Sequence, residues 1–253
     1  MKKFLYLALT LLPCFAFGQT TAGQIQFTET IQLKIELPEG DESMKNLLPS
    51  AQSFPKVLYF NENAFLYRDE ETKEEQEDAT FTSESNGATF KMVIARPDNQ
   101  LYGDLNTGAT TESKEFFGKR FLIKGDGKNL EWKLTGEQKQ ILDYTCFKAE
   151  LNDTSRTVIA WFTPQIPVSA GPSGFGQLPG MILELDIDNA TRTVKATSVS
   201  KEAPTTAQLV APDKGKELTQ AEFDQIVEEK TKEMQAEMGG DGKGGMHIII
   251  RRN

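Results

Sequence analysis

Histidine and cysteine, two residue types that often carry out enzyme chemistry, are scarce in this 253-residue chain. His247 is the one histidine, and it lies near the C-terminus behind a glycine-rich tract, while no serine stands in a G-x-S-x-G context. A Ser-His-Asp or Cys-His arrangement would therefore need the terminal segment to be held rigidly against the rest of the protein. Zinc sites of clustered histidine and cysteine are excluded by the count of these residues. We predict no catalytic residue, no metal ligand and no cofactor.

The C-terminal part offers one ligand set for a soft metal. Three thioethers and an imidazole are close in sequence there, from Met234, Met238, Met246 and His247. Such ligands suit copper(I). Methionines four residues apart on an amphipathic helix, however, usually face the protein core. Packing is the favoured interpretation, and copper handling by the Met/His C-terminus stays open as an alternative function.

Carboxylates are abundant, and two groups of them could form a site. Glu184 and Asp186 lie on one face of a predicted strand, and glycosidases need a facing carboxylate pair at a set separation. The segment from Asp69 to Asp78 is strongly acidic but lacks the spacing of a calcium-binding loop, which favours a solvated loop. The polar face of a strand explains Glu184 and Asp186 more simply than catalysis does. An unrecognised carboxylate-based hydrolase is nevertheless kept as the other alternative function.

Cys146 is the one cysteine that remains once a signal peptide containing Cys14 is removed. It lies in a strand-like segment, Tyr144 to Leu151, among alternating apolar neighbours. Free cysteine is among the most buried residue types, and reactive cysteines need an exposed, electropositive environment. The pattern therefore predicts a buried, small hydrophobic residue rather than a nucleophile.

A loop rich in proline and glycine, residues 164–180, is the most distinctive segment of the chain. It contains four prolines and four glycines among apolar residues. Proline fixes the backbone angle φ, and glycine allows φ values that other residues avoid. The loop is therefore predicted to follow one irregular path rather than form a strand or a helix. Its apolar side chains either present a binding surface or close the protein's own core. The residues predicted to bind a hydrophobic ligand in the first case are Trp161, Phe175, Leu178, Pro179, Gly180 and Met181.

Alternating apolar and polar residues predict β-strands along most of the chain. The longest such run is Gly23 to Leu37, whose apolar residues nearly all share one parity. Turn-forming residues at 125–128, 152–155 and 188–191 predict hairpins between successive antiparallel strands. Between residues 134 and 144 the pattern fits either a short helical turn or a corner between two strands.

One helix is predicted at residues 218–238. Thr219 and Glu222 form a capping box, Leu218 and Phe223 stand at the two positions of a hydrophobic staple, and two glycines follow the last turn. Apolar residues recur at helical spacing along one side of this segment, from Phe223 to Met238, which predicts that the helix packs on the sheet.

These elements predict a mainly β fold: a curved antiparallel sheet or half-open barrel with one C-terminal amphipathic helix. Residues 19–217 form the β domain, which carries the Pro/Gly loop at 164–182. The glycine-rich tail, 239–253, is predicted to contain a short terminal strand, with a partly disordered end as the alternative.

The N-terminus, residues 1–18, has the pattern of a secretory signal peptide, with two lysines before an apolar core and a small residue at each cleavage position. The apolar core is too short to span a bilayer, which needs about 20 residues, and no later run is longer, so no transmembrane helix is predicted. Removal of the two lysines would change the net charge from −9 to −11. This acidic excess excludes nucleic acid as a partner.

The segment QLPGMI at residues 177–182 and several flanking segments carry a family resemblance. The flanking matches are Tyr144 to Ala149, Trp161 to Thr163, Ile166 to Val168, and Gly171-Pro172. Together they resemble the GLPGLI family of exported bacterial proteins, with glutamine at 177 and methionine at 181 replacing glycine and leucine of the motif. The resemblance implies export and implies no particular activity.

Taken together, the residues and the resemblance predict a non-enzymatic exported protein of the cell envelope. We expect it in the periplasm or associated with the outer membrane. Its predicted partner is a hydrophobic ligand or an outer-membrane protein, bound through the ordered apolar loop.

Overall fold

The computed structural model describes residues 20–33, 50–70, 79–85, 88–94, 98–127 and 129–238. Three predicted segments lie outside the described residues: the signal peptide, most of the acidic loop at 69–78, and the tail at 239–253 with Met246 and His247.

Fourteen strands and one helix make up the described part of the chain. The strands are β1 (Gly23–Gln32), β2 (Ala51–Phe60), β3 (Ala64–Asp69), β4 (Ala79–Ser85), β5 (Ala88–Ile94), β6 (Gln100–Asp104), β7 (Thr110–Phe116), β8 (Lys119–Gly125), β9 (Trp132–Ile141), β10 (Tyr144–Leu151), β11 (Val158–Thr163), β12 (Met181–Ile187), β13 (Arg192–Ser200) and β14 (Lys216–Leu218). The helix is α1 (Gln220–Met238), and short 3-10 turns lie at Pro172–Gly174 and Thr206–Gln208.

Within the described residues, twelve strands form one sheet, and β4 and β5 form a separate hairpin. The order across the sheet is β14-β8-β7-β6-β3-β2-β1-β13-β12-β11-β10-β9. Neighbouring strands are antiparallel except for the parallel pair of β14 and β8. The sheet is not closed into a barrel, and the predicted fold class, mainly β with one C-terminal helix, is confirmed.

The sheet cannot be flat, because a short connection joins strands near its opposite edges. β8 ends at Gly125 and β9 begins at Trp132, and seven residue steps reach at most about 25 Å. In a flat sheet these strands, ten positions apart in the strand order, would be separated by about 48 Å. The sheet therefore curves or coils enough to bring its two edges towards each other.

The same connection corrects one predicted hairpin. Residues 125–128 do not join paired strands, because β8 pairs with β7 and β14, whereas β9 pairs with β10. The other two predicted hairpins, at 152–155 and 188–191, do join antiparallel neighbours. The segment between residues 134 and 144 is no helical turn: β9 continues to Ile141 and turns directly into β10.

One face of the sheet forms the core of the protein. β1 buries every second residue, and Ile25, Phe27 and Ile31 are among these. Leu58 on β2 and Val194 on β13, from the two neighbouring strands, are buried on the same side. Glu29 is the one charged residue in this row of β1, and it is buried as well.

The helix covers the part of the sheet made by β7 and β8. It begins at Gln220, two residues after the predicted start, because Leu218 still belongs to β14. The capping box is present: the Thr219 backbone N–H donates to the Glu222 carboxylate at 2.8 Å, and the Glu222 N–H donates to Thr219 Oγ1 at 3.3 Å. Phe223 packs edge-on against Phe121, with ring centroids 5.5 Å apart.

The helix of the described region is not both long and apolar enough to cross a membrane.

Candidate functional site

The Pro/Gly loop between β11 and β12 lies over the inner face of the sheet. Its apolar side chains other than those of three exposed prolines point into the core, where Ile166, Val168 and Ala170 are buried at alternate positions. Backbone hydrogen bonds fix its two ends, since the Met181 N–H donates to Ile166 O and the Ile182 N–H to Ala170 O, each at 3.0 Å. The loop therefore follows the single ordered path that its proline and glycine content predicts.

The six residues predicted to bind a hydrophobic ligand do not form one exposed apolar surface. Pro179 is exposed, and Trp161 is half-buried with the Lys139 ammonium 4.2 Å from its ring centroid. The other four are buried, namely Phe175, Leu178, Gly180 and Met181. Their visible role is packing, and ligand binding by this set stays a prediction.

A buried polar cluster ties the tip of the loop to the sheet. The side chain of Glu29 is 1% exposed and accepts a 2.7 Å hydrogen bond from Arg192 Nε. The same guanidinium donates through Nη2 to Ser173 Oγ in the loop, also at 2.7 Å. Lys56 completes the cluster, 3.9 Å from Glu29 and 2.7 Å from Asp69. Because an unpaired buried charge is costly, each member holds the others in place.

Tyr67 lies within this cluster, beside Ser173. Burial, and after it the negative charge of Glu29, raises the pKa of the Tyr67 phenol well above its ordinary value. The phenol therefore stays neutral across the physiological pH range. Sequence reasoning missed the cluster, although Glu29 stands on the same parity as the buried apolar residues of β1 and so carried a signal.

A shallow polar cleft of about 610 Å³, more open to solvent than enclosed, lies at the end of the sheet where β10 ends and β9 begins. Amide, carboxylate, hydroxyl and guanidinium groups line most of it. The lining residues are Asn129, Leu130, Glu131, Leu151, Asn152, Asp153, Thr154, Ser155 and Arg156.

An aromatic pair from the loop and from β9 supports one wall of the cleft. The guanidinium of Arg156 lies over the ring of Phe175, 5.3 Å from its centroid. Phe175 in turn meets Trp132 edge-on, with ring centroids 6.3 Å apart. The flat face of a guanidinium on an aromatic ring is a favourable contact that keeps the edge of the group available for hydrogen bonds.

Two hydrogen bonds fix the loop tip against the cleft. The Trp132 indole N–H donates to the carbonyl oxygen of Gly176 at 2.9 Å. The backbone N–H of Leu130 donates to Gln177 Oε1 at 2.8 Å. Because Leu130 itself lines the cleft, the position of the loop tip sets the position of that lining.

Asp153 is held in the cleft as an ionised acceptor. The Ser155 hydroxyl and backbone N–H donate to one carboxylate oxygen at 2.7 and 2.8 Å, and Arg156 Nε lies 3.4 Å from the other. The bonds from Ser155, more than the nearby Arg156 charge, hold the pKa of Asp153 below its usual range. A glycosidase acid needs a raised pKa, so this carboxylate suits hydrogen bonding rather than proton transfer.

The remaining groups of the cleft can bind a ligand that carries hydroxyls and amides. The amide nitrogen of Asn152 donates to Glu131 Oε2 at 3.4 Å, and its amide oxygen is a further acceptor. Arg156 uses Nε in its ion pair with Asp153, and its two Nη groups are the further donors of the fork.

A family model described as N-glycanase peptide, N-terminal domain, matches residues 71–224. The chain belongs to this family. The predicted membership of the GLPGLI family is wrong, because the N-glycanase model matches the whole region that carries the GLPGLI-like segments. A short Pro/Gly motif that fixes a loop path is a weaker indicator of ancestry than a match over more than half of the chain.

Two solved structures of PNGF-II, in space groups P21 and C2, have folds similar to this N-glycanase-family chain. Their TM-scores are 0.53 and 0.52, and their sequence identities are 19% and 18%. Each covers 81% of this chain, whereas the chain spans about a third of their length, 33% and 32%. At these identities the likeness shows the fold alone. None of the curated proteins compared with the sequence matches it.

The carboxylate pair singled out from the sequence is held by contacts within the protein. Glu184 is engaged by Lys139 at 2.7 Å, and Asp186 accepts a 2.6 Å hydrogen bond from the backbone N–H of Ala190. Among the residues that the structure describes, no group of three or more His, Cys, Asp and Glu side chains could hold a metal ion.

Cys146 is fully buried in this N-glycanase-family chain, which confirms the prediction. Its sulfur lies 3.7 Å from the backbone carbonyl oxygen of Tyr144. Burial raises the pKa of the thiol to about 11, and the nearby Lys139 ammonium only partly offsets this rise.

We expect Cys146 to be alkylated at least about 100-fold more slowly in the native protein than in the urea-unfolded protein at pH 7.5. A rise of the thiol pKa from 9.0 to about 11 lowers the thiolate fraction by about 100-fold, and burial blocks the reagent further. A polar maleimide and a Cys14→Ser background make Cys146 the reacting thiol. Equal labelling rates in the native and unfolded protein would contradict the buried, protonated thiol.

Proposed function

We propose that this chain is a non-enzymatic, exported domain that binds a carbohydrate, the core of an N-linked glycan, in the polar cleft. One observation carries the proposal: a chain of the N-glycanase N-terminal domain family has a cleft lined by amides, carboxylates and a guanidinium that rests on Phe175. Sugars present hydroxyls in pairs and, in N-acetylated sugars, an amide. Those groups match the planar donors and acceptors of Asn152, Asp153 and Arg156.

Binding without catalysis is supported by the state of Asp153, one of the two carboxylates that line the cleft. Asp153 has a lowered pKa and both oxygens engaged, so it stays ionised and cannot deliver a proton. The family description names an N-terminal domain, and the chain spans about a third of the PNGF-II chains. In this proposal the glycan chemistry belongs to a separate catalytic unit, and the present chain supplies affinity.

A hydrophobic ligand or an outer-membrane protein is a weaker candidate partner. The apolar residues that would contact it, Phe175, Leu178 and Met181, are buried in the core. Export remains part of the proposal on the strength of the N-terminal sequence, with the periplasm or the outer membrane as the expected location.

Titration calorimetry with N,N′-diacetylchitobiose tests the proposal directly. This disaccharide contains the two N-acetylated sugars with which an N-linked glycan begins. We expect saturable binding with a Kd on the order of 0.1 mM, equivalent to about −5.5 kcal/mol. Maltose, which lacks the amide groups, should bind at least about tenfold more weakly.

Arg156→Ala is the matched variant for this experiment, because it removes the donor fork and leaves the buried cluster intact. We expect it to weaken chitobiose binding about tenfold or more, or about 1.4 kcal/mol. Lys124→Ala is the control, since Lys124 forms an exposed ion pair with Glu217 on the β8 side of the sheet. No saturable binding by the unmodified protein, or equal affinities of the two variants, would sink the proposal.

A further inference from the structure

We infer that Arg192 and Ser173 are positioning residues of the cleft, which hold its inner wall in place from within the protein core. The inference rests on the proposed function for its ligand, while its structural part is tested separately. The argument follows one chain of contacts from the sheet through the loop tip to the lining of the cleft.

The first contact in this chain anchors Arg192. Glu29 accepts from Arg192 Nε at 2.7 Å and lies on the buried face of β1, so its carboxylate cannot relocate to water without unfolding the strand. The side chain of Arg192 is 16% exposed, and its Nη2 donates to Ser173 Oγ at 2.7 Å. A charge-assisted bond from a fixed guanidinium is among the stronger and more directional side-chain contacts.

The second contact sets the shape of the loop tip. Ser173 has φ +57° and Gly174 has φ +77°, so two consecutive residues are left-handed. The Phe175 N–H then donates to Pro172 O at 3.1 Å and closes the turn. A left-handed serine is uncommon, and the bond to Arg192 stabilises this conformation where the residue type does not.

The third contact carries the turn to the cleft. Phe175, two residues after Ser173, is the ring on which Arg156 rests. Gly176 O accepts from the Trp132 indole, and Gln177 Oε1 accepts from the Leu130 backbone N–H. Leu130 lines the cleft, and Trp132 directly follows the lining residue Glu131. Movement of Ser173 away from Arg192 would therefore move the support of both Arg156 and Leu130.

The strand directions place both ends of this chain at one end of the sheet. Arg192 is the first residue of β13, and Trp132 is the first residue of β9. Four antiparallel steps separate these strands in the sheet, so they run in the same direction and both begin at the same end. The buried cluster and the cleft therefore lie at the same end of the sheet.

Ser173→Ala tests the inference, because it removes the acceptor and leaves all buried charges paired. We expect chitobiose affinity to fall about five- to tenfold. The indole N–H resonance of Trp132 should shift or broaden in a ¹H–¹⁵N spectrum, since its acceptor is Gly176 O. The indole of Trp161, which lies beside Lys139 and not at the loop tip, is an internal reference and should be unchanged.

Ser173→Asn is the rescue variant, since asparagine tolerates a left-handed φ and offers a carbonyl acceptor to Arg192. It should restore both affinity and the Trp132 resonance. The inference is overturned by an unchanged Trp132 resonance in Ser173→Ala, or by a moved resonance with unchanged affinity. If the unmodified protein does not bind chitobiose, the proposed function fails, while the Trp132 resonance still decides whether Ser173 positions the loop tip.

Discussion

Replacement of Gly180 by alanine is expected to lower the free energy of unfolding by about 3–5 kcal/mol, the sum of backbone strain and overpacking. Gly180 has φ +148°, a conformation that residues with a Cβ rarely adopt. An added Cβ would lie 2.1 Å from the backbone carbonyl oxygen of Thr163, the last residue of β11. Because that neighbour is backbone, relief requires the strand end or the whole loop to shift.

Gly118→Ala is the matched control for this effect. Gly118 is also left-handed, with φ +67°, but no atom lies within 4 Å of the added Cβ. We expect it to cost about 1–2 kcal/mol, the strain term without the clash. Urea unfolding followed by tryptophan fluorescence measures both variants, and equal costs would contradict the close approach of Gly180 to β11.

Replacement of Glu29 by alanine is expected to destabilise the protein by about 3–5 kcal/mol. The substitution leaves the partly buried Arg192 guanidinium and the buried Lys56 ammonium without this carboxylate. Breaking a buried ion pair by removal of one partner costs about this much, because the remaining charge stays desolvated. Lys56 keeps its bond to Asp69, whereas Arg192 loses the stronger of the two contacts described for it.

Glu228→Ala gives the comparison at a surface ion pair. Glu228 and Lys232 are 66% and 71% exposed on α1, so their pair should contribute less than about 1 kcal/mol. The two variants are compared by their urea midpoints at equal slope. A cost for Glu29→Ala as small as that for Glu228→Ala would show that the cluster does not fix the core.

Local sequence patterns predicted strand β1, the helix cap and the loop path. The alternation of apolar and polar residues in β1 predicted which face of the strand is buried. The capping box at Thr219 predicted the start of α1 to within two residues. Proline and glycine in the loop predicted an ordered path, because their backbone preferences act within the segment itself.

Pairing between distant strands could not be predicted in this way. Residues 125–128 have the composition of a hairpin turn, but a turn signal does not specify which strands pair. Here the chain runs from β8, near one edge of the sheet, to β9 at the opposite edge. The family resemblance failed for a related reason, since it rested on short segments around one loop.

The cleft was missed because its lining comes from separate parts of the chain. Residues 129–131 and 151–156 form it, and the loop tip at 175–177 supports it. Each segment by itself has the composition of an ordinary turn. The buried position of Glu29 was readable from its parity in β1, but its partner Arg192 is 163 residues away in sequence and became evident only in the fold.

The binding of an N-glycan core in the cleft is tested most directly by a chitobiose titration of ¹⁵N-labelled protein. The proposed function predicts saturable shifts of the backbone amides of residues 152–156, with little change at the turn of Phe117 and Gly118 on the β7–β8 side. Absence of shifts at 152–156 at millimolar chitobiose, or shifts confined to other parts of the sheet, would contradict it.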